Sequence, residues 1–464
     1  MKLYKVCAAG AMMAVVLSSC HIYNKYELPA EESAIAADWQ KAVEAPVDSA
    51  SLPYLGWEEI FRDPKLQTLI KLALANNTNL ENAKLNVDIA HAQLKGAKLS
   101  YFPSVAFTPN GAGSSMGGNQ MDMSRLSWSY QLPLSAQWEI DAFAKILNRK
   151  RGAQMSYEMS QAYEQATRSQ IVCGVANCYY SLVMLYQQLG LTNRTIEIWK
   201  EQVETMELLK KAGRTNEAAV VQSRANLYNI MSSVPTLETS INQLQNTMSL
   251  LLNTYPQTWE VTGDLTFDVP QQLTAGVPVS YLGARPDIRA AERSLAAAYY
   301  ATNSARANFY PSIVVSAQGG FTNLLGSMIK NPGEFFVNLA GQLTAPIFSR
   351  GQNIASLEVA KAQQKQALNN FEYAVLSASA DVSDALVSYN KATERHQYLE
   401  LQVDQLEKSV DYTNELFMYN TSTTYLEVLT ARSGLLNAQL ALIANWHDKA
   451  SALISLYQSV GGGR

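Results

Sequence analysis

No proline interrupts the 101 residues between Pro133 and Pro235, and none occurs in the 118 residues after Pro346. Strand-rich folds are punctuated by turns and rarely read this way, so the two runs predict long helices. Ile171, Val175, Cys178, Leu182, Leu185 and Leu189 recur at 4-3-4-3-4 spacing. Ile443, Trp446, Ala450, Leu453, Tyr457 and Val460 recur at 3-4-3-4-3. Both are heptad seams, which need partner helices along their length. A helix over 141–211 would extend about 105 Å at 1.5 Å per residue, far beyond the usual globular helix.

Between the helical runs the period changes to two. Leu126, Trp128, Tyr130, Leu132, Leu134, Ala136 and Trp138 alternate with uncharged polar residues and Pro133, while Phe335, Val337, Leu339, Gly341 and Leu343 alternate with Phe336, Asn338, Ala340, Gln342 and Thr344. Each run follows another strand candidate, at 101–108 and 309–321, which predicts two β-hairpins at about 101–138 and 309–347. Tyr101-Phe102-Pro103-Ser104-Val105 matches Phe309-Tyr310-Pro311-Ser312-Ile313 at an offset of 208, which also aligns Ala83, Ala90 and Ala97 with Ala291, Ala298 and Ala305. The chain therefore reads as a duplication: repeat 1 over 63–255, a connector over 256–282 and repeat 2 over 283–464. Four strands with one greasy and one wet face suit a bilayer but cannot close a barrel, so several chains must contribute; three copies give twelve strands. A soluble sheet packed on helices shows the same alternation.

The first twenty residues read as an address. Lys2 and Lys5 precede an apolar stretch from Val6 to Leu17, then Ser18-Ser19-Cys20. This is a lipoprotein signal over 1–19, and cleavage would free Cys20 to carry acyl chains that tie the segment 20–62 to a membrane. A transmembrane anchor would need roughly 20 apolar residues. Charged residues are 16% of the chain, apolar residues 47% and the net charge −4, which excludes a disordered chain and disfavours a nucleic-acid partner. His21, His91, His396 and His447 are the only histidines and none sits in a catalytic motif; His447-Asp448 is a local pair without a nucleophile context, so no enzyme, metal site or cofactor is expected. Met116, Met121 and Met123 offer thioethers that suit Cu(I), but a glycine-rich loop does not preorganise them.

Four stretches make the chain resemble the TolC-like outer membrane efflux proteins, in particular the lipoprotein branch serving resistance-nodulation-division pumps. They are Leu17-Ser18-Ser19-Cys20, the Arg285-Pro286-Asp287…Glu292 run, the paired Phe/Tyr-Pro-Ser strand starts, and Tyr425-Leu426-Glu427-Val428-Leu429-Thr430-Ala431-Arg432. The resemblance implies a trimeric duct, mainly α, with a twelve-stranded membrane barrel continuous with a periplasmic α-barrel. It implies a homotrimer, a periplasmic membrane-fusion adaptor, an inner-membrane resistance-nodulation-division transporter and outer membrane lipid as partners. Two turns become its closed tips, with Gly213, Arg214 and Thr215 in one and Thr421, Ser422 and Thr423 in the other meeting the adaptor. Leu426, Glu427 and Thr430 fall where the family constricts its lumen; three copies of Glu427 would form an acidic ring that favours cations. Pro286 and Asp287 suit the first turn of a helix. The exit duct of a type I protein-secretion system and a lipid-anchored periplasmic coiled-coil scaffold without a pore are the alternatives.

Overall fold

The computed structural model describes residues 23–31, 33–44, 55–115, 126–262, 279–322, 333–419 and 424–463. Cys20, Met116, Met121, Met123, Thr421, Ser422 and Thr423 lie outside the described residues. Short helices α1 (Ala34–Glu44), α2 (Trp57–Ile60) and α3 (Pro64–Asn76) precede α4 (Thr78–Leu99). Strands β1 (Ser104–Phe107), β2 (Asn110–Ser115) and β3 (Leu126–Ile140) lead into α5 (Lys145–Lys211) and α6 (Glu217–Leu251). A 3-10 turn, Val279–Ala284, opens α7 (Pro286–Ala307), followed by β4 (Ser312–Thr322), β5 (Glu334–Thr344), α8 (Gln352–Tyr419) and α9 (Tyr425–Ser459). Starts of α4 and α7, of β1 and β4, and of α6 and α9 are each 208 residues apart.

Helix α5 has 67 residues and α8 has 68, so each rises about 100 Å at 1.5 Å per residue. Asp141 starts α5, its two carboxylate oxygens accepting from the backbone N–H of Ile146 at 2.9 Å and Leu147 at 2.7 Å. The expected seams are largely filled: Ile171, Val175, Cys178, Leu182 and Leu185 are buried, as are Trp446, Ala450, Leu453, Tyr457 and Val460, while Leu189 and Ile443 are half-buried. A further seam on α8 runs through Phe371, Val375, Ala378, Val382, Ala385, Tyr389 and Ala392, all buried. Pro235 sits inside α6 without ending it.

Both predicted hairpins form, β1 and β2 with β3 and β4 with β5, and β3 pairs with β4 from Gln131↔Thr322 to Ile140↔Ile313, which joins them into one antiparallel sheet. One correction concerns the strands. The predicted first strand at 101–108 starts only at Ser104, and its continuation β2 occupies what reads as a loop. Both β1 and β2 pair with β3 in one unbroken register, Phe107↔Leu134 and Asn110↔Gln131, so they form one column interrupted at Pro109, which has no N–H to give the ladder. The columns run β1/β2, β3, β4, β5.

Register puts Val105, Phe107, Leu134, Trp138, Val315, Phe321, Val337 and Leu339 on one face, and Ser135, Gln137, Ser316, Gln318, Asn338 and Gln342 on the other. The apolar face is uncovered: Leu339 is 75% exposed and Val337 65%. No described helix is long and apolar enough to cross a membrane.

Two compact units interleave along the chain. One comprises 1–28, 86–161 and 290–371 and holds the sheet; the other comprises 29–85, 162–289 and 372–464 and holds most of the helical seams.

At Gly320 a Cβ would run into the Leu132 carbonyl of the neighbouring strand. Gly320→Ala should therefore disturb β3–β4 pairing at a cost of about 1–3 kcal/mol. Heat-sensitive mobility in detergent gels should show a clear fall in folded channel; an unchanged folded fraction would count against this close approach.

Candidate functional site

At the α5–α6 turn the chain closes in a Schellman motif. Gly213 has φ +71°, its N–H donates to Lys210 O at 3.0 Å, and Arg214 N–H donates to Leu209 O at 2.9 Å. Gly213 thus takes the left-handed conformation expected of it. Asn216 caps α6 through its side chain, accepting from Ala219 N–H at 3.0 Å. Ion pairs Lys210–Glu217 and Arg224–Glu207 brace the two helices, and the Arg224 guanidinium holds the Glu207 carboxyl below its ordinary range. Arg214 reaches across to the end of α8, donating to Met418 O at 3.4 Å. Thr215 lies between Arg214 and the Asn216 cap.

The first turn of α9 divides its residues cleanly. Tyr425, Val428 and Leu429 are buried in a cluster with Trp199, Val203 and Met206 of α5 and Val220, Leu227 and Ile230 of α6. Leu426, Glu427 and Thr430 are left exposed on the other side, Leu426 by 67%. Thr430 donates its hydroxyl to Leu426 O at 2.8 Å, which uses its proton within the helix. The helix face predicted to constrict a lumen is thus one that this chain itself leaves uncovered.

Arg285 is the hub at the other end of α9. The residue is 8% exposed, and its guanidinium donates to Ser459 O at 2.9 Å, to both oxygens of Asp287 at 3.1 and 2.7 Å, and to Asp381 at 3.0 Å. Burial opposes its charge, but the hydrogen bonds and charges of Asp287 and Asp381 prevail and hold the guanidinium above its ordinary value. Pro286 and Asp287 occupy the first turn of α7 as expected. Glu292 is not part of this hub; it lies further along α7, 4.0 Å from Arg293, which pairs with Glu158 at 3.0 Å.

Sequence reasoning missed the clasp beside Arg285. Gly461 and Gly463 have φ of +87° and +90°, and a Cβ on Gly461 would lie 2.9 Å from the Ala284 carbonyl. Ser169 donates to Gly462 O, and Tyr457 donates to Leu55 O at 2.9 Å. The run Gly461-Gly462-Gly463 was the available signal.

Near it, Tyr179 and Thr262 donate to Asp63 Oδ2 at 2.7 and 2.6 Å, and Asp63 Oδ1 caps α3 through Lys65 N–H at 2.8 Å. Burial pushes the Asp63 carboxyl up, but hydrogen bonds from Thr262, Tyr179, Lys65 and Leu66 outweigh it and hold it below its ordinary 3.8. Burial pushes the Tyr179 hydroxyl up to about 12.

His447 is not isolated. Its Nε2 lies 2.8 Å from Ser181 Oγ, which corrects the expectation of a pair with no nucleophile context. Ser181 already donates to Asn177 O at 2.8 Å, and Asp448 is 4.0 Å from His447 Nδ1, too far to orient the ring. Burial pulls His447 below its ordinary value, so the contact joins two helices rather than activating a hydroxyl.

The sequence model described as outer membrane efflux protein matches residues 69–254 and 277–462, and both ends of the second match lie 208 residues beyond those of the first. The chain belongs to the outer membrane efflux protein family. The cation efflux system protein CusC of Escherichia coli O6:H1 is 28% identical over 456 residues, 97% of each chain. The toluene efflux pump outer membrane protein TtgC of Pseudomonas putida is 29% identical over 469 residues, 98% of this chain and 94% of that one. The solved structure of the outer-membrane channel OprN matches with a TM-score of 0.83 at 26% identity, covering 96% of this chain and 99% of that one. The expected assignment to the outer membrane, as an efflux channel, is thereby met.

Arg285→Lys keeps the charge but loses the fork, and Arg285→Ala strands Asp287 and Asp381. Each should lower stability by about 2–4 kcal/mol, read as an earlier thermal transition in detergent. Because Asp63 is held below 3.8, its contribution is present above that pH and fades as pH falls through its lowered value. Melting curves between about pH 5 and pH 2 should show this loss, and Asp63→Asn should flatten it.

Proposed function

We propose that three copies of this chain close one duct: a twelve-stranded barrel in the outer membrane continuous with a helical barrel in the periplasm, anchored through acyl chains on Cys20. The observation that carries it is the four-column sheet, whose apolar face is exposed and whose outer columns, β1/β2 and β5, each pair on one side only among the described residues. Such edges are untenable in lipid unless a neighbouring copy completes them. Each half, 63–255 and 283–464, is one copy of a duplication, supported by the common offset of helices, strands and family matches.

The duct does no chemistry and needs no cofactor, so it is not an enzyme. An inner-membrane transporter of the resistance-nodulation-division class supplies the energy, and a periplasmic adaptor meets the tips at Gly213, Arg214 and Thr215 and at Thr421, Ser422 and Thr423. Leu426, Glu427 and Thr430 ring the closed end. Small molecules pass through passively. The two relatives named for cations and for toluene are 28% and 29% identical to this chain, so overall similarity favours neither class of cargo.

A photo-reactive residue at Arg214 should capture, in cells, an adaptor encoded with a resistance-nodulation-division pump. Capture of an adaptor paired with an ATP-driven exporter would move the assignment to protein secretion. In planar bilayers Glu427→Ala should weaken cation block or raise single-channel conductance; unchanged values would remove Glu427 from the constriction.

A further inference from the structure

Two turns into α9 stands a half-buried cation. Arg432 stands seven residues after Tyr425, on the same side of the helix, and is partly buried. Its Nη2 donates to Asn414 Oδ1 on α8 at 3.3 Å, while its Nε is buried with no hydrogen-bond partner. It forms no ion pair among the described residues; the acid that acts on it is Glu201 of α5, itself exposed. Burial pulls the Arg432 guanidinium below its ordinary value, the direction expected where a charge is poorly compensated. One heptad before it on α9, Tyr425 has its ring centroid 5.8 Å from that of Phe417 and accepts from the Ser223 hydroxyl at 2.6 Å.

A guanidinium held without a counter-ion weakens the packing that buries it, whereas an apolar side chain of similar length would strengthen that packing. We infer that Arg432 poises the tip gate: closed packing of the first turns of α9 keeps its charge uncompensated, and parting of the helices lets water or Glu201 take it. This rests on reading the tips as the closed end of the duct. Arg432 acts through Tyr425 and the packing behind Leu426, Glu427 and Thr430, so it is a positioning residue rather than a lumen-lining one.

The test is planar-bilayer recording of the full-length channel, with passage of a large antibiotic into cells as a second readout. Arg432→Met should lower the mean open conductance at least two-fold and reduce antibiotic entry without lowering the thermal transition. Arg432→Lys, which keeps a charge, should behave as wild type. Where Arg432→Met does not assemble, the neutral Arg432→Gln carries the same expectation. A folded neutral variant that gates as wild type, or opens more readily, overturns the inference. If Glu427→Ala alters cation block while Arg432→Met is silent, the inference alone fails; if both are silent, the tip-gate reading fails and takes the inference with it.

Discussion

A strand edge placed in hydrocarbon has no water to satisfy its N–H and C=O groups, and among the described residues this sheet leaves two edges unpaired. Most of its large apolar residues sit on one face and stay exposed, Leu339 by 75%, although an exposed greasy sheet is an aggregation hazard in water. In the proposed duct, lipid on that face and another copy at each edge would remove both problems at once. Polar side chains gathered on the opposite face would then become the wall of an aqueous passage.

The long helices meet the same demand by other means. Every backbone group of α5 and α8 is satisfied within the helix except at the ends, so these helices leave no open edge of their own. What fixes the helices is side-chain packing at heptad spacing, sealed at one end by the cluster around Trp199 and Tyr425 and at the other by Arg285 and the terminal glycines. Arg285 binds groups on α7, α8 and α9 together, which a single lysine ammonium cannot reproduce.

Much of this was legible because it is periodic or local. Heptad seams, the alternating faces, the left-handed Gly213 and the proline at the start of α7 each follow from a few neighbouring residues. The pairing of β3 with β4 was not, because it joins residues almost 200 positions apart and the two strands read equally well in separate hairpins. The α8 seam escaped notice because Ala378, Ala385 and Ala392 fill three of its seven places, and alanine signals helix propensity as readily as contact. The Arg285 hub was half legible: Asp287 is two residues away, but Asp381 and Ser459 arrive only through the fold. Neither the hydrogen bond between Ser181 and His447 nor the docking of three terminal glycines on Ser169 and Ala284 leaves a spacing pattern.

Closure by copies of the same chain is the central claim, and cross-linking across the sheet edges tests it directly. Single cysteines scanned along 104–115 on one edge, combined with cysteines along 334–344 on the other, should give disulfide-linked products between subunits at in-register pairs. Those products should stop at three chains and sit in a conducting channel. Absence of inter-subunit linkage at every register, or an open ladder extending beyond three, would contradict the account.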